Sequence, residues 1–116
     1  MAAVADFCRA RGITDKVIVE MCKLDGDDAA KRRVCEIALE AKPGFLKTST
    51  GRSFGGAKLE DVQLMHEVLG DAVAIKAAGG IHNYEEACAF IEAGASALGA
   101  SAGIAIVEGA PADERR

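Results

Sequence analysis

Strand-like and helix-like stretches alternate along this chain, and that alternation is the strongest constraint on its fold. The first strand-like stretch, residues 16–21, is rich in β-branched side chains, and each of the four such stretches is followed by a turn and an amphipathic segment. Alternating apolar strands and helices form parallel sheets with right-handed crossovers. The sequence therefore predicts an α/β fold built from parallel βα units.

The expected elements follow from apolar spacing and from helix start and stop residues. Strands are expected over residues 16–21, 45–49, 72–77 and 96–100. Helices are expected over residues 2–11, from Asp27 or Asp28 to the stop at Pro43-Gly44, over 59–69, from the cap at Asn83 to Gly94, and over 103–107. The predicted core-facing helix residues are Ala30, Val34, Ile37, Ala38, Ala41, Val62, Met65, Val68, Leu69, Ala87, Phe90 and Ile91. A polar tail, residues 109–116, is expected to fray.

Composition excludes several classes of function. The chain has 116 residues, half of them apolar, which suits a single globular domain over residues 1–116. A net charge of −4, without a basic stripe, argues against nucleic acid or anionic membranes as partners. Four scattered cysteines without zinc spacing indicate a reduced, cytoplasmic protein and no metal site. The sequence also has no signal-peptide core and no membrane-spanning run.

Four βα units are half of an eight-stranded barrel. A complete barrel usually needs about 200 residues or more. The chain is therefore either half a (βα)8 barrel or a small open α/β sheet. In both cases glycines follow the strands, at the sheet edge where such folds bind ligands.

Two lysines occupy matching places in successive strands. Lys47 ends an apolar run before Thr48-Ser49-Thr50-Gly51, and Lys76 stands before Ala77-Ala78-Gly79-Gly80. A neighbouring cation and partial desolvation both favour the neutral amine, which is the nucleophilic form. The pair is thus typical of Schiff-base catalysis. The alternative is that each lysine reaches past a strand end into water.

Small residues after the strands predict an anion site. Gly51, Gly79, Gly80 and the segment Gly99–Gly103, which contains Ser101, leave backbone N–H groups accessible, and Arg52 can add a charged contact. The same glycines are also explained by tight turns alone.

Four other polar residues have less specific expected roles. Glu20 could pair with a lysine or relay protons, and the alternative is a structural ion pair. His82 follows the double glycine and could contact an anion, whereas His66 is expected at the surface of a helix. Cys22 is more simply a small apolar residue than a nucleophile.

With these motifs in hand, the chain resembles the deoxyribose-phosphate aldolases. The resemblance is carried by Lys47-Thr48-Ser49-Thr50-Gly51, Lys76-Ala77-Ala78-Gly79-Gly80 and Gly99-Ala100-Ser101, with support from Val17-Ile18-Val19-Glu20, Gly55-Gly56-Ala57 and Glu92-Ala93-Gly94-Ala95. It runs from about Lys16 to Glu108 and implies the C-terminal half of a TIM (βα)8 barrel.

The resemblance also implies a reaction and a set of site residues. Members are class I aldolases that reversibly cleave 2-deoxyribose 5-phosphate to acetaldehyde and glyceraldehyde 3-phosphate, without a metal or other cofactor. Lys47 would form the Schiff base, and Lys76 would be the neighbouring cation that assists proton transfer. Gly51, Gly79, Gly80, Gly99 and Ser101 would lie at the substrate phosphate.

The sequence departs from the family pattern in ways that define an alternative. The family's catalytic aspartate belongs to the other half of the barrel, and His82 and Ala97 replace arginines. Lys42-Pro43-Gly44 replaces the usual Gly-Ala-Asp. The alternative is a catalytically inactive half barrel that retains phosphate binding at most. Open strand edges predict self-association or pairing with a missing N-terminal half barrel.

Overall fold

The computed structural model describes residues 1–52 and 55–114, in which helices alternate with the strands of one sheet. The helices are α1 (Ala2–Ala10), α2 (Asp28–Ala41), α3 (Leu59–Leu69), α4 (Tyr84–Ala93) and α5 (Gly103–Glu108). The strands are β1 (Lys16–Ile18), β2 (Phe45–Lys47), β3 (Ala74–Ala78) and β4 (Ala97–Gly99). The predicted alternation of β and α elements is confirmed. The sequence also predicts a loop over residues 50–56, of which Ser53 and Phe54 lie outside the described residues, as do Arg115 and Arg116.

The four strands form one parallel sheet in the order β1-β2-β3-β4. The order follows the chain, so β1 and β4 are the edges, as the sequence predicts. Ile18 pairs with Lys47, which in turn pairs with Lys76. On the other side of β3, Lys76 pairs with Ala97. Residues paired in this way point to the same face of the sheet.

One face of the sheet carries the hydrophobic core. Leu46 and Ile75 are almost fully buried there, against Val62 and Met65 of α3 and Phe90 of α4. The opposite face, called here the open face, carries Lys16, Ile18, Phe45, Lys47, Ala74, Lys76 and Ala97. Ile18 is 43% exposed on it. A sheet covered by helices on one face only is what half of a barrel wall presents.

The first strand is shorter than predicted because the backbone turns at Glu20. That residue has a φ of 48°, in the left-handed region, and a 3-10 turn over Met21–Leu24 follows it. The turn buries Met21 in the core. The prediction of a strand through Met21 is therefore wrong after Ile18, although the N–H of Val19 still donates to the carbonyl of Lys47 at 3.1 Å.

Two residues that were predicted to face the core are exposed in the structure. Ile37 of α2 is 38% exposed and Ile91 of α4 is 56% exposed. The inward face of α2 runs instead through Lys31, Cys35 and Ala38, which are spaced as one helix face requires. Of the other predicted core residues, Ala38, Ala41, Val62, Met65, Leu69, Ala87 and Phe90 are buried, whereas Ala30, Val34 and Val68 are half-buried.

The predicted helix caps are present. The side chain of Asp27 accepts a hydrogen bond from the N–H of Ala30 at 3.0 Å, and Asn83 accepts from the N–H of Glu86 at 2.8 Å. Asn83-Tyr84-Glu85-Glu86 also resembles a capping box in sequence, but the Glu86 carboxylate accepts from the N–H of His82 at 2.8 Å. The tail contains a short 3-10 turn, Ala112–Glu114, where fraying is predicted.

Candidate functional site

The two lysines singled out from the sequence are direct partners in the sheet. Lys47 of β2 and Lys76 of β3 occupy the same register position and project from the open face. Both are half-buried. The structure therefore brings together the two amines that sequence spacing places one βα unit apart.

The residues after Lys47 fasten the end of β2 to β3. Thr48 and Ser49 are buried. The Thr48 hydroxyl accepts from the N–H of Ala78 at 3.2 Å, and the Ser49 hydroxyl donates to the carbonyl of Ala78 at 2.6 Å. These hydroxyls satisfy buried backbone groups, so they hold Lys47 in place and do not face solvent.

Glu20 anchors the loop after β2. Its carboxylate accepts hydrogen bonds from the N–H and, at 3.4 Å, from the hydroxyl of Thr50. The prediction that Glu20 pairs with a lysine is therefore wrong, because the turn at Glu20 directs its side chain to Thr50.

An open cleft of about 280 Å³ lies beside Lys47. Its lining is Lys47, Thr50, Gly51, Arg52, Ala78, Gly79, Gly99, Ala100 and Ser101. Four of the five predicted phosphate-site residues thus lie around one cleft with Lys47. Gly80 and Lys76 are not in the lining.

Glycines at this edge are required by close backbone packing. A Cβ added to Gly79 would lie 2.9 Å from the Cα atoms of both Gly51 and Gly56. Gly79 also has a φ of 89°, and its N–H donates to the carbonyl of Gly99 at 3.3 Å. Gly99 itself leaves room for a lysine, because a Cβ there would lie 3.3 Å from Cε of Lys76.

Lys16 is a part of this face that the sequence analysis missed. The pKa of the Lys76 amine is lowered, first by hydrogen-bond contact with the Lys16 amine, then by the charge of Lys16, by partial burial and by the charge of Lys47. The Lys16 amine also lies 5.9 Å from the centre of the Phe45 ring. The signal available in the sequence was the position of Lys16 two residues before Ile18, on the same side of β1.

The other candidate side chains lie away from the lysine pair. The His82 ring is 73% exposed and its Nδ1 lies 3.2 Å from the Glu86 carboxylate. His66 is exposed on α3. Cys22 is half-buried. Another cysteine, Cys35, is fully buried, and this burial raises the pKa of its thiol to about 11.

A charged cluster between α2 and α3 also escaped sequence analysis. The Lys31 amine lies 2.6 Å from the Asp61 carboxylate and 2.8 Å from that of Asp25. Lys58 makes a second ion pair with Asp25, at 2.5 Å. The side chains of Lys31 and Asp61 are only 5% and 3% exposed. This cluster lines a separate cleft of about 420 Å³.

Comparison with known proteins finds curated relatives over most of this chain. It is 50% identical over 111 residues to a deoxyribose-phosphate aldolase of Thermococcus kodakarensis, a match that covers 96% of this chain and 49% of that protein. It is 52% identical over 107 residues to the deoxyribose-phosphate aldolase of Finegoldia magna, covering 92% of this chain and 48% of that protein. The chain is a homologue of the deoxyribose-phosphate aldolases. It spans about half the length of the curated relatives it matches.

Solved structures agree with this relationship to the deoxyribose-phosphate aldolases. The aldolase QR15 superposes with a TM-score of 0.77 at 38% identity, over 88% of this chain and 45% of that chain. The tetrameric deoxyribose phosphate aldolase of Aeropyrum pernix superposes with a TM-score of 0.79 at 26% identity, over 92% and 45% of the two chains. The parallel sheet is thus half of a (βα)8 barrel, and the alternative of a small open sheet is set aside. No protein-family model matches the chain.

Within residues 1–52 and 55–114, no helix is long and apolar enough to cross a lipid bilayer. The same residues contain no group of three or more His, Cys, Asp or Glu side chains arranged to hold a metal ion.

Proposed function

We propose that this chain carries the Schiff-base lysine of a class I aldolase that reversibly cleaves 2-deoxyribose 5-phosphate to acetaldehyde and glyceraldehyde 3-phosphate. The observation that supports this most is the direct pairing of Lys47 with Lys76 on the open face, beside the glycine-lined cleft. The homology to deoxyribose-phosphate aldolases supplies the substrate.

Lys47 is the proposed nucleophile. Its neutral amine attacks the aldehyde carbon of the open-chain sugar, and loss of water gives an iminium. The iminium accepts the electron pair of the breaking carbon–carbon bond while the hydroxyl on the leaving carbon gives its proton to water and becomes the carbonyl of the product. Glyceraldehyde 3-phosphate leaves, and an enamine stays on Lys47. Protonation of the enamine carbon and hydrolysis then release acetaldehyde.

Lys76 is the proposed proton-transfer partner. Its amine faces Lys47 from the paired position, and its pKa is lowered by neighbouring cations. Lys76 is proposed as the cationic neighbour of Lys47 that assists proton transfer during the reaction.

The cleft beside Lys47 is the proposed phosphate site. Gly51, Gly79, Gly99 and Ser101 line it, and Arg52 adds a cation to the lining. Gly80 would contribute from the adjoining turn, where nothing lies within 4 Å of an added Cβ. A phosphate held here would place the far end of the sugar at a fixed distance from Lys47.

The open face also suggests a partner. Residues 1–116 form one proposed half-barrel domain whose edge strands β1 and β4 have one free side each. Unpaired strands recruit other strands, so we propose that this face is covered by a complementary half barrel or by a second copy. Sedimentation at several concentrations should show concentration-dependent association, and a monomer at every concentration would count against self-association.

Borohydride trapping tests the proposed chemistry. Reduction in the presence of 2-deoxyribose 5-phosphate, followed by peptide mass spectrometry, should place the adduct on Lys47. Lys47→Arg should abolish it because guanidinium stays protonated. Lys42→Arg, a matched change at an exposed lysine outside the cleft, should leave it intact. An adduct on Lys76 with Lys47 unmodified would reverse the assignment.

The alternative function is a catalytically inactive half barrel that keeps phosphate binding at most. The observation that favours it is that the chain spans only about half of its relatives. Under this alternative no adduct forms on Lys47, while inorganic phosphate still raises the melting temperature of the chain. Gly80→Asp should abolish that rise if the anion binds at the glycine turns.

A further inference from the structure

The backbone of Glu20 adopts a conformation that residues with a side chain rarely adopt. Its φ of 48° lies in the left-handed region. Among the described residues, only one other non-glycine residue, Lys42, has a positive φ, and it is the C-terminal cap of α2, where this conformation is common. Glu20 follows a strand instead. Strain of this kind persists where surrounding contacts hold it, and it is frequent at functional sites.

The residues on both sides of Glu20 are hydrogen-bonded to the end of β2. The N–H of Val19 donates to the carbonyl of Lys47 at 3.1 Å, and the N–H of Met21 donates to the carbonyl of Thr48 at 2.8 Å. The side chain of Met21 is also buried in the core. These contacts hold the backbone of Glu20 at a fixed position relative to the backbone of Lys47.

From that position the Glu20 carboxylate holds one wall of the cleft. We call the three lining residues Thr50, Gly51 and Arg52 the cleft wall. The carboxylate accepts hydrogen bonds from the N–H of Thr50 and, at 3.4 Å, from its hydroxyl. The next residue packs on the facing turn, since a Cβ added to Gly51 would lie 3.2 Å from the Cα of Gly79. The cleft wall is thus held by one side chain and by close backbone packing.

The charge and the hydrogen bonds of Glu20 have opposite effects on an anion in the cleft. Its negative charge repels a phosphate. Its hydrogen bonds keep the cleft wall in place, which spares the free energy of ordering that wall when a ligand binds. Because the two effects differ in sign, substitutions that remove the charge alone or the charge together with the hydrogen bonds can separate them.

We propose that Glu20 is a positioning residue: by holding Thr50, its carboxylate fixes the cleft wall beside Lys47 and raises the affinity of the cleft for a phosphorylated substrate. The phosphate in this statement rests on the proposed function. The hold on Thr50 does not, because it is measurable in the chain alone.

Two NMR measurements test the proposal. Amide hydrogen exchange reports whether the N–H of Thr50 is held, and a chemical-shift titration with inorganic phosphate gives the dissociation constant. Glu20→Ala should speed exchange at Thr50 and raise the dissociation constant about three- to tenfold, because the cleft wall must then be ordered on binding. Glu20→Gln retains an oxygen that accepts from the N–H but carries no charge. It should keep Thr50 protected and bind phosphate at least as tightly as the unmodified chain.

Borohydride trapping adds a measurement that separates positioning from loss of fold. Glu20→Ala should raise the concentration of 2-deoxyribose 5-phosphate that gives half of the maximal adduct on Lys47, while the maximal adduct itself is kept. Glu20→Gln should restore the lower concentration. The matched control is Glu40→Ala, which removes the same charge from an exposed residue of α2 and should change none of these values.

Three results would overturn the role of Glu20. They are unchanged exchange at Thr50 in Glu20→Ala, phosphate affinity in Glu20→Ala equal to or tighter than that of the unmodified chain, and no phosphate binding by the unmodified chain. The aldolase chemistry fails separately: the expected exchange and phosphate affinities, with no adduct on Lys47, would support the role of Glu20 and count against the proposed reaction.

Discussion

The two faces of the sheet differ in what their residues do. On the helix-covered face, Leu46 and Ile75 are at most 1% exposed and pack into a single core. On the open face, Lys47 and Lys76 are half-buried without an ion-pair partner among the described residues. Burial of apolar area stabilises the first face, whereas repulsion between amines opposes folding on the second. The residues that stabilise the fold and the residues proposed to carry the chemistry therefore lie on opposite sides of the same strands.

The largest expected effect lies on the helix-covered side. Lys31→Met removes the amine that satisfies Asp61 and leaves a buried carboxylate without its partner. Breaking a buried pair in this way costs about 3–5 kcal/mol of unfolding free energy. Urea denaturation measures the loss.

Two control variants show whether the buried pair itself is responsible. Lys31→Met with Asp61→Leu should recover most of the stability, since no charge is then stranded. Arg33→Met, at an ion pair that is 61% and 47% exposed, should change stability by about 0.5 kcal/mol or less. A similarly small effect in Lys31→Met would show that the cluster does not hold α2 to α3.

A smaller loss of stability is expected at the glycine turns, at the edge of the sheet after β3. Gly79→Ala places a Cβ 2.9 Å from two backbone atoms in a residue with positive φ. The left-handed conformation costs about 1–2 kcal/mol and overpacking about 1–3 kcal/mol more. Gly80→Ala is the matched control, because it has a similar φ of 75° but open space around it. Equal thermal stability losses in the two variants would remove close packing as the reason for Gly79.

Acid should lower the free energy of unfolding by a still smaller amount, through the carboxylates of the charged cluster. The pKa of Asp25 is lowered by hydrogen bonds from Lys31 and Lys58. A carboxyl with a lowered folded pKa contributes stability above its unfolded value, near 3.8, and loses that contribution as pH falls through the folded value. Asp25→Asn should therefore flatten the fall in stability below pH 4. An unchanged acid slope would contradict this contribution.

The βα order was predictable from the sequence because apolar runs and glycine stops alternate so regularly. Two features were not. The left-handed turn at Glu20 ends β1 early and directs the Glu20 carboxylate to Thr50, in another part of the chain. The buried face of α2 was rotated from the predicted one, because Lys31 finds its partner on α3. Both depend on tertiary contacts that local spacing does not contain.

The candidate site was predictable to the extent that its residues lie in strands. Lys47 and Lys76 meet because strand register follows from the repeat, and their neighbouring glycines follow at the same sheet edge. Lys16 was missed because it lowers the pKa of Lys76 from a strand that is not the neighbour of β3. Sequence patterns place a Cα on a face but do not show how far a long side chain extends over it.

Unfolding of one triple variant tests most directly the claim that only the helix-covered face holds the fold. Lys16→Gln, Lys47→Gln and Lys76→Gln together remove the three amines of the open face and leave every core residue in place. The account predicts cooperative urea unfolding with a free energy within about 1 kcal/mol of the unmodified chain, or higher because repulsion is relieved. A loss of about 2 kcal/mol or more would show that the open face contributes to folding, and would contradict the division of the sheet into a stabilising face and a chemical one.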